Sequence, residues 1–132
     1  MTIIDLGAGD GAVIFAAAKK AYELGLNTRF VAVDINVILT TIMQIRRLFH
    51  PNKSNIKIIC KDMFKLDFRS ILNNTTSCVL YIYISPWFTK AVDKLIKDQN
   101  IKAKIVSYFY PVEDKKESQK IKGIHDIYIY TP

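Results

Sequence analysis

The chain has 132 residues, half of them hydrophobic, and a formal charge of +7, a size that closes one core without disulfide or metal. Its apolar content excludes a disordered chain, and no apolar run approaches the ~20 residues of a membrane span. Asp5 and Gly7 interrupt the N-terminus before any secretory leader could form. The expectation is a cytoplasmic, single-domain protein spanning residues 1–132, with no membrane partner. The charge admits a nucleic acid, an acidic protein or a lysine-rich solvated surface. The densest lysine group, Lys115, Lys116, Lys120 and Lys122, is interleaved with Glu113, Asp114 and Glu117, which favours the solvated surface. Cys60 and Cys78 each lie in an apolar, strand-like run without His or Cys at ligand spacing. Both read as buried reduced thiols, and no metal site is expected.

Thr2 to Leu6 is apolar but for its ends and reads as a short buried strand. Gly11 to Leu24 reads as a helix with Val13, Ala16, Ala17, Ala21 and Leu24 at helical spacing, ended by Gly25 and Asn27. Arg29 to Val33 is a second β-branched run closing on Asp34. Asn36 is a helix N-cap for a segment through Phe49 that Pro51 prevents from continuing. Ile56 to Cys60 is a third strand, and Lys61 to Arg69 is a connection without clear period. Ser77 to Ile84 is a fourth strand, apolar on both faces as a central parallel strand requires. A helix starts at Pro86, with Phe88, Val92, Leu95 and Ile96 opposite Lys90, Lys94 and Lys97. Ala103 to Tyr110 is a fifth strand. Ser118 to Ile121, a turn at Gly123 and alternation from His125 to Thr131 form a terminal hairpin. The order predicts an α/β domain: a Rossmann-like, mainly parallel twisted sheet flanked by helices, with a C-terminal antiparallel hairpin.

In such sheets ligands lie beyond the carboxyl ends of the strands, beside the first strand-to-helix turn. Here that turn is "DLGAGDGA", with Gly7, Gly9 and Gly11 alternating. A dinucleotide fingerprint, GxGxxG, would place its third glycine at Ala12; alanine is permitted there, so that class stays open. Asp5 points elsewhere, because a carboxylate at the strand end would repel a pyrophosphate. Asp5, Gly7, Gly9 and Gly11 resemble motif I, DxGxGxG, of the class I S-adenosylmethionine-dependent methyltransferases. The resemblance implies S-adenosyl-L-methionine as cofactor, with Asp5 toward its cationic methionine moiety and Gly7, Ala8, Gly9 and Gly11 around it. Asp34 and Ile35, at the end of the second strand, take the ribose. Asp62 and Met63, in "KDMF", take the adenine, and Ser85 borders the cofactor from the fourth strand's end.

The fourth strand's end supplies the acceptor side in this fold, and "ISPWF" matches the Ser/Pro/aromatic pattern of amino-methylating enzymes at Ser85, Pro86 and Phe88 but not at Trp87. Over most of the chain, "DLGAGDGAVIFAAAKKA", "DMFKLDF", "VDKLIKDQ" and the aromatic end of the fifth strand resemble the small archaeal-type protein-lysine methyltransferases. This implies N-methylation of lysine on a protein partner, with Tyr83, Trp87 and Tyr108 as catalytic walls and Tyr81 and Tyr110 as further candidates. Aromatic walls desolvate an ammonium and favour the neutral amine. A nucleic-acid methyltransferase, and a cofactor-binding module without transfer activity, are the alternatives. His50 and His125 read as surface or loop residues. The related enzymes carry cover helices before the first strand; Met1 stands directly at that strand, so the expectation is a domain with these helices missing, its site closed by a partner chain or by sequence upstream.

Overall fold

The computed structural model describes residues 1–73 and 77–132, which fall into two compact units, Met1–Lys65 and Leu66–Pro132. In the first, strands β1 (Thr2–Leu6), β2 (Arg29–Asp34) and β3 (Ile56–Cys60) run parallel, with β2 between the other two. Ile4, Leu6 and all four residues from Phe30 to Val33 are buried. Both faces of β1 and β2 are therefore covered, which explains sequence runs that are apolar rather than alternating. The register sets Asp5 beside Ala32 and Asp34 beside Cys60.

Helix α1 (Ala12–Glu23) follows β1, and α2 (Val37–Leu48) follows β2. The face α1 buries is only partly the expected one: Ile14, Phe15, Ala18 and Ala21 are buried against Phe30, Ala32, Met43 and Ile56 with Ala17 packed on them, while Val13, Ala16 and Leu24 are exposed. An alanine-rich helix offers several apolar stripes, and the stripe with the larger Ile and Phe side chains removes more area from water. Asn36 caps α2 as expected, its Oδ1 accepting from the amides of Ile38 at 2.9 Å and Leu39 at 3.1 Å. Beyond α2, His50 lies in the connection, as expected, and is tied down there. Its Nδ1 accepts from the Asn52 amide at 3.0 Å, which leaves Nε2 to donate to the Phe15 carbonyl at 2.9 Å. Buried Asn52 donates to the Ala18 carbonyl at 2.9 Å, so two side chains tie the α2 exit to α1.

In the second unit β4 (Ser77–Ile82) and β5 (Lys102–Tyr108) are parallel, and β7 (Ile127–Tyr130) pairs antiparallel with both β5 and β6 (Gln119–Ile121). The expected hairpin is therefore present, with β7 as its inner strand. Both long strands stop two residues early: β4 at Ile82, ahead of Pro86, and β5 at Tyr108, where Phe109 takes a positive φ of 73°. The connection without period contains a single 3-10 turn, Met63–Lys65, and in this unit a one-turn helix, α3 (Phe68–Ile71), capped by Asp67. Helix α4 (Pro86–Asp98) buries Thr89, Val92 and Ile96, with Phe88 half exposed. Val92, Ile96, Leu80, Ile82, Ile105 and Tyr130 are among this unit's buried residues. The Tyr130 hydroxyl accepts from the Val112 amide at 2.8 Å.

Cys78 is buried and its thiol is pushed up to about 11 by desolvation. Cys60 is exposed, contrary to expectation, because it ends β3, whose only strand partner within its unit is β2. Among the described residues no helix is long and apolar enough to cross a membrane.

Candidate functional site

Within the first unit the carboxyl ends of β1, β2 and β3 carry Asp5, Asp34 and Asp62. The turn after β1 is closed by its own amides: Gly7 N and Ala8 N both donate to the Val33 carbonyl, at 2.8 and 2.9 Å, and Gly11 N donates to Ala8 O at 3.0 Å. Gly9 N donates to Asp34 Oδ2 at 2.9 Å, and Ala12 N to Asp10 Oδ1 at 3.0 Å. The turn is thus not a phosphate cradle, which would aim these donors outward. Gly9 and Gly11 serve different ends. A Cβ on Gly9 would meet nothing within 4 Å, whereas one on Gly11 would lie 2.6 Å from the Phe15 ring and 3.0 Å from Met43 Cγ. Gly11 lets α1 start against the core; Gly9 leaves the turn surface open.

Asp34 is doubly engaged, Oδ1 accepting from Asn36 N at 2.9 Å and Oδ2 from Gly9 N. A carboxylate offers about four acceptor positions, so roughly two remain for a ligand's hydroxyls. Asp62 Oδ1 accepts from Phe64 N at 3.0 Å and starts the short turn that presents Met63. These residues border a crevice of about 310 Å³ lined by Gly7, Asp34, Ile35, Asp62 and Met63 of the expected set. Lys61 and Phe64 line it as well, and the sequence reading missed both. Phe64 lies two residues past Asp62, and "DMF" carried that signal. Ala8, Gly9 and Gly11 shape the turn without lining the crevice.

Asp5 is 4 % exposed, and its carboxyl is pushed up to about 7, first by burial and second by the charge of Asp34. No hydrogen-bond donor among the described residues offsets this. A cation brought to Asp5 would restore its ionised form.

The remaining expected residues belong to the second unit. Tyr83, just past β4, meets Tyr108 edge-on at 5.2 Å between centroids and stacks with Tyr110 at 6.4 Å. Phe109 contacts Tyr110 at 4.5 Å and His125 at 4.6 Å, and Tyr108 meets His125 at 5.7 Å. Tyr83, Tyr108 and Tyr110 are therefore brought together, with Phe109 and His125 as members the sequence did not single out. Tyr81 instead lies inside β4, opposite Val106. Trp87 is 88 % exposed in the first turn of α4, outside the described ring cluster. Ser85 is the N-cap of α4; its carbonyl accepts from Phe88 N at 2.9 Å, and its side chain makes no capping bond.

Solved structures resemble this architecture. An RNA methyltransferase from Salinibacter ruber, crystallised with S-adenosyl-L-homocysteine, superposes with a TM-score of 0.79 at 18% identity, over 98% of this chain and 79% of that one. The fold is that of the class I methyltransferases. It is Rossmann-like, with parallel strands and helices in each unit and an antiparallel pair of strands at the end of the second. The glycopeptide N-methyltransferase MtfA with S-adenosyl-L-methionine bound matches at TM-score 0.59 and 12% identity, over 99% of this chain and 59% of that one. A methyltransferase from Geobacter sulfurreducens with S-adenosyl-L-homocysteine matches at 0.57 and 14%, over 86% and 45%. Neither a family model nor a curated protein matches the chain.

Proposed function

We propose that the chain is an S-adenosylmethionine-dependent N-methyltransferase whose acceptor is the amino group of a protein lysine. The observation that carries the cofactor assignment is the turn's chemistry: its amides are engaged internally while Asp5, Asp34 and Asp62 end three successive strands. That set disfavours a pyrophosphate and suits a ligand with a cationic end, two ribose hydroxyls and an adenine. In this reading Asp5 faces the methionine ammonium, the free acceptor positions of Asp34 take the ribose, and Asp62 with Met63 and Phe64 holds the base. When bound, the cofactor supplies an electrophilic methyl group on a sulfonium.

Transfer of that kind needs alignment and exclusion of water rather than a covalent intermediate on the protein. The acceptor nitrogen must offer a lone pair, so a lysine ammonium first loses a proton to solvent. Tyr83, Tyr108 and Tyr110 serve as apolar walls that hold the aliphatic stem and disfavour the charged form. Trp87, exposed at the start of α4, is the ring available to cover an incoming side chain.

A second reading, a nucleobase as acceptor, is favoured by the likeness to the Salinibacter enzyme and by rings able to stack on a base. Methyl-labelled cofactor incubated with the protein and a cell extract separates the readings. Protease-sensitive, RNase-resistant label is expected. RNase-sensitive label selects the second reading, and cofactor binding without label selects a module that does not transfer. The cofactor assignment is checked separately: Asp34→Ala should weaken S-adenosylhomocysteine binding about tenfold or more, and unchanged affinity removes Asp34 from the site.

A further inference from the structure

The first unit has a second cavity, at the amino ends of β2 and β3. It lies four residues along the strand register from Asp34, a distance of about 13 Å at ordinary strand rise. Its volume is about 420 Å³, and its polar lining is Arg29 at the head of β2, Gln44 and Arg47 from α2, Ser54 and Asn55 from the turn before β3, and Lys57 on β3. Three of these are cationic, the other three are neutral hydrogen-bonding groups, and no carboxylate lines the cavity. The sequence around it is equally one-sided. From Asn36 to Lys61 there is no Asp or Glu, against Arg46, Arg47, Lys53, Lys57 and Lys61.

Two of the three cations, Lys57 and Arg47, keep donors that the described residues do not engage. Lys57 forms no ion pair among the described residues, whereas Lys90, Lys94, Lys97, Lys115 and Lys120 all do. Arg47 is held in place: its Nε donates to the Ile56 carbonyl at 2.6 Å. The terminal nitrogens of that guanidinium make no hydrogen bond to the described residues, so a fixed fork of donors remains for a ligand. A planar fork with a neighbouring ammonium matches the oxygens of a phosphate better than any neutral ligand. Gln44 and Ser54 add donors for the remaining oxygens, while Asn55 is fixed by donating its Nδ2 to Asn52 Oδ1 at 2.8 Å.

We infer that this cavity, lined by Arg29, Arg47 and Lys57, is a binding site for a phosphate group. The phosphate is either a free or small-molecule phosphate or one unit of a polynucleotide backbone. The site lies at the strand ends opposite Asp34 and does not depend on the assignment of the cofactor crevice.

The test titrates the full chain with inorganic phosphate at constant ionic strength held by chloride, following the amides of Asn55 and Lys57 and the Arg47 Nε–H by NMR. A parallel arm follows a labelled ten-nucleotide single-stranded RNA by fluorescence anisotropy. Two charge reversals accompany both arms, Lys57→Glu at the cavity and Lys122→Glu on the exposed tail of the other unit. The expected result is saturable shifts at the cavity, weakened about tenfold or more by Lys57→Glu and little changed by Lys122→Glu. RNA binding that shows the same variant dependence and is displaced by phosphate identifies the source as a polynucleotide backbone; phosphate binding without RNA binding identifies a small phosphate ligand. Shifts that chloride alone reproduces, or equal weakening by the two reversals, overturn the site and leave a solvated basic edge. S-adenosylhomocysteine affinity, measured on the same samples, is expected to be unchanged by Lys57→Glu, so failure here is distinct from failure of the cofactor assignment.

Discussion

In the first unit the groups assigned to the cofactor are fixed by backbone. Val33 O takes two amides of the turn, Asp34 takes a third, and Gly11 fits only because it lacks a Cβ. In the second unit the groups assigned to the acceptor are side chains that hold one another. Tyr83, Tyr108, Phe109, Tyr110 and His125 form a cluster of ring contacts, and Tyr83 and Phe109 are partly exposed. The difference suits the two tasks. A cofactor of fixed shape is served by a rigid turn, and a variable acceptor by rings that can repack at modest cost. Substitutions should accordingly damage stability in the first unit and acceptor use in the second.

The largest effect is expected at Gly11. Gly11→Val combines a β-branched residue at φ 84° with a Cβ 2.6 Å from the buried Phe15 ring. Strain and overpacking each cost roughly 1–3 kcal/mol, so a loss of about 4 kcal/mol is expected in urea denaturation. Gly9→Ala, with open space around its Cβ, should cost only about 1 kcal/mol. Similar losses at the two positions would contradict the division of roles between them.

Asp5 provides the next effect. Its carboxyl is raised from 3.8 to about 7 in the folded chain, so between those values the unfolded chain releases a proton that the folded chain retains. Stability contributed by the protonated carboxyl is full below pH 4 and lost as pH rises toward 7. Asp5→Asn should remove that decline and leave the ligand-free chain more stable than wild type at pH 8 by a few kcal/mol, about 4 at most, with no gain at pH 4. Ligand binding should run the other way. S-adenosylhomocysteine carries an ammonium, which favours ionised Asp5, so wild-type affinity should rise between pH 5 and 7 and stay flat in Asp5→Asn. Calorimetry in two buffers at pH 6 would show the accompanying proton release; its absence would separate Asp5 from the ligand's cationic end.

The legibility of the two regions in the sequence differs for related reasons. The runs of β1 and β2 were readable because doubly covered parallel strands are continuously apolar, and Asp5, Asp34 and Asp62 were readable because each closes an apolar run. The face α1 buries was readable only in part, since Ala16 looks as apolar as Ile14 and Phe15. Nor did spacing show that the turn's amides would be engaged by Val33, a residue more than twenty positions away. In the second unit the tyrosines stood out by type, but their association depends on Phe109 adopting a positive φ and on β7 bringing His125 back beside β5. Both are tertiary outcomes. The basic cavity is not legible in the sequence because its cations are dispersed between Arg29 and Lys57.

The smallest effect in stability, and the sharpest for the comparison, is expected at Trp87. An 88 % exposed side chain outside the ring cluster buries little area, so Trp87→Ala should change unfolding free energy by no more than ~0.5 kcal/mol. If the ring closes over an acceptor lysine, the same variant should raise KM for a lysine peptide about threefold to tenfold with kcat nearly unchanged, the signature of lost binding rather than lost transition-state contact. Tyr83→Ala disrupts the cluster that Tyr108 and Tyr110 share, so it should affect both parameters. A Trp87→Ala enzyme with unaltered KM would confine acceptor recognition to the clustered rings, and one with a reduced kcat alone would move Trp87 from the entrance of the site to its reacting centre.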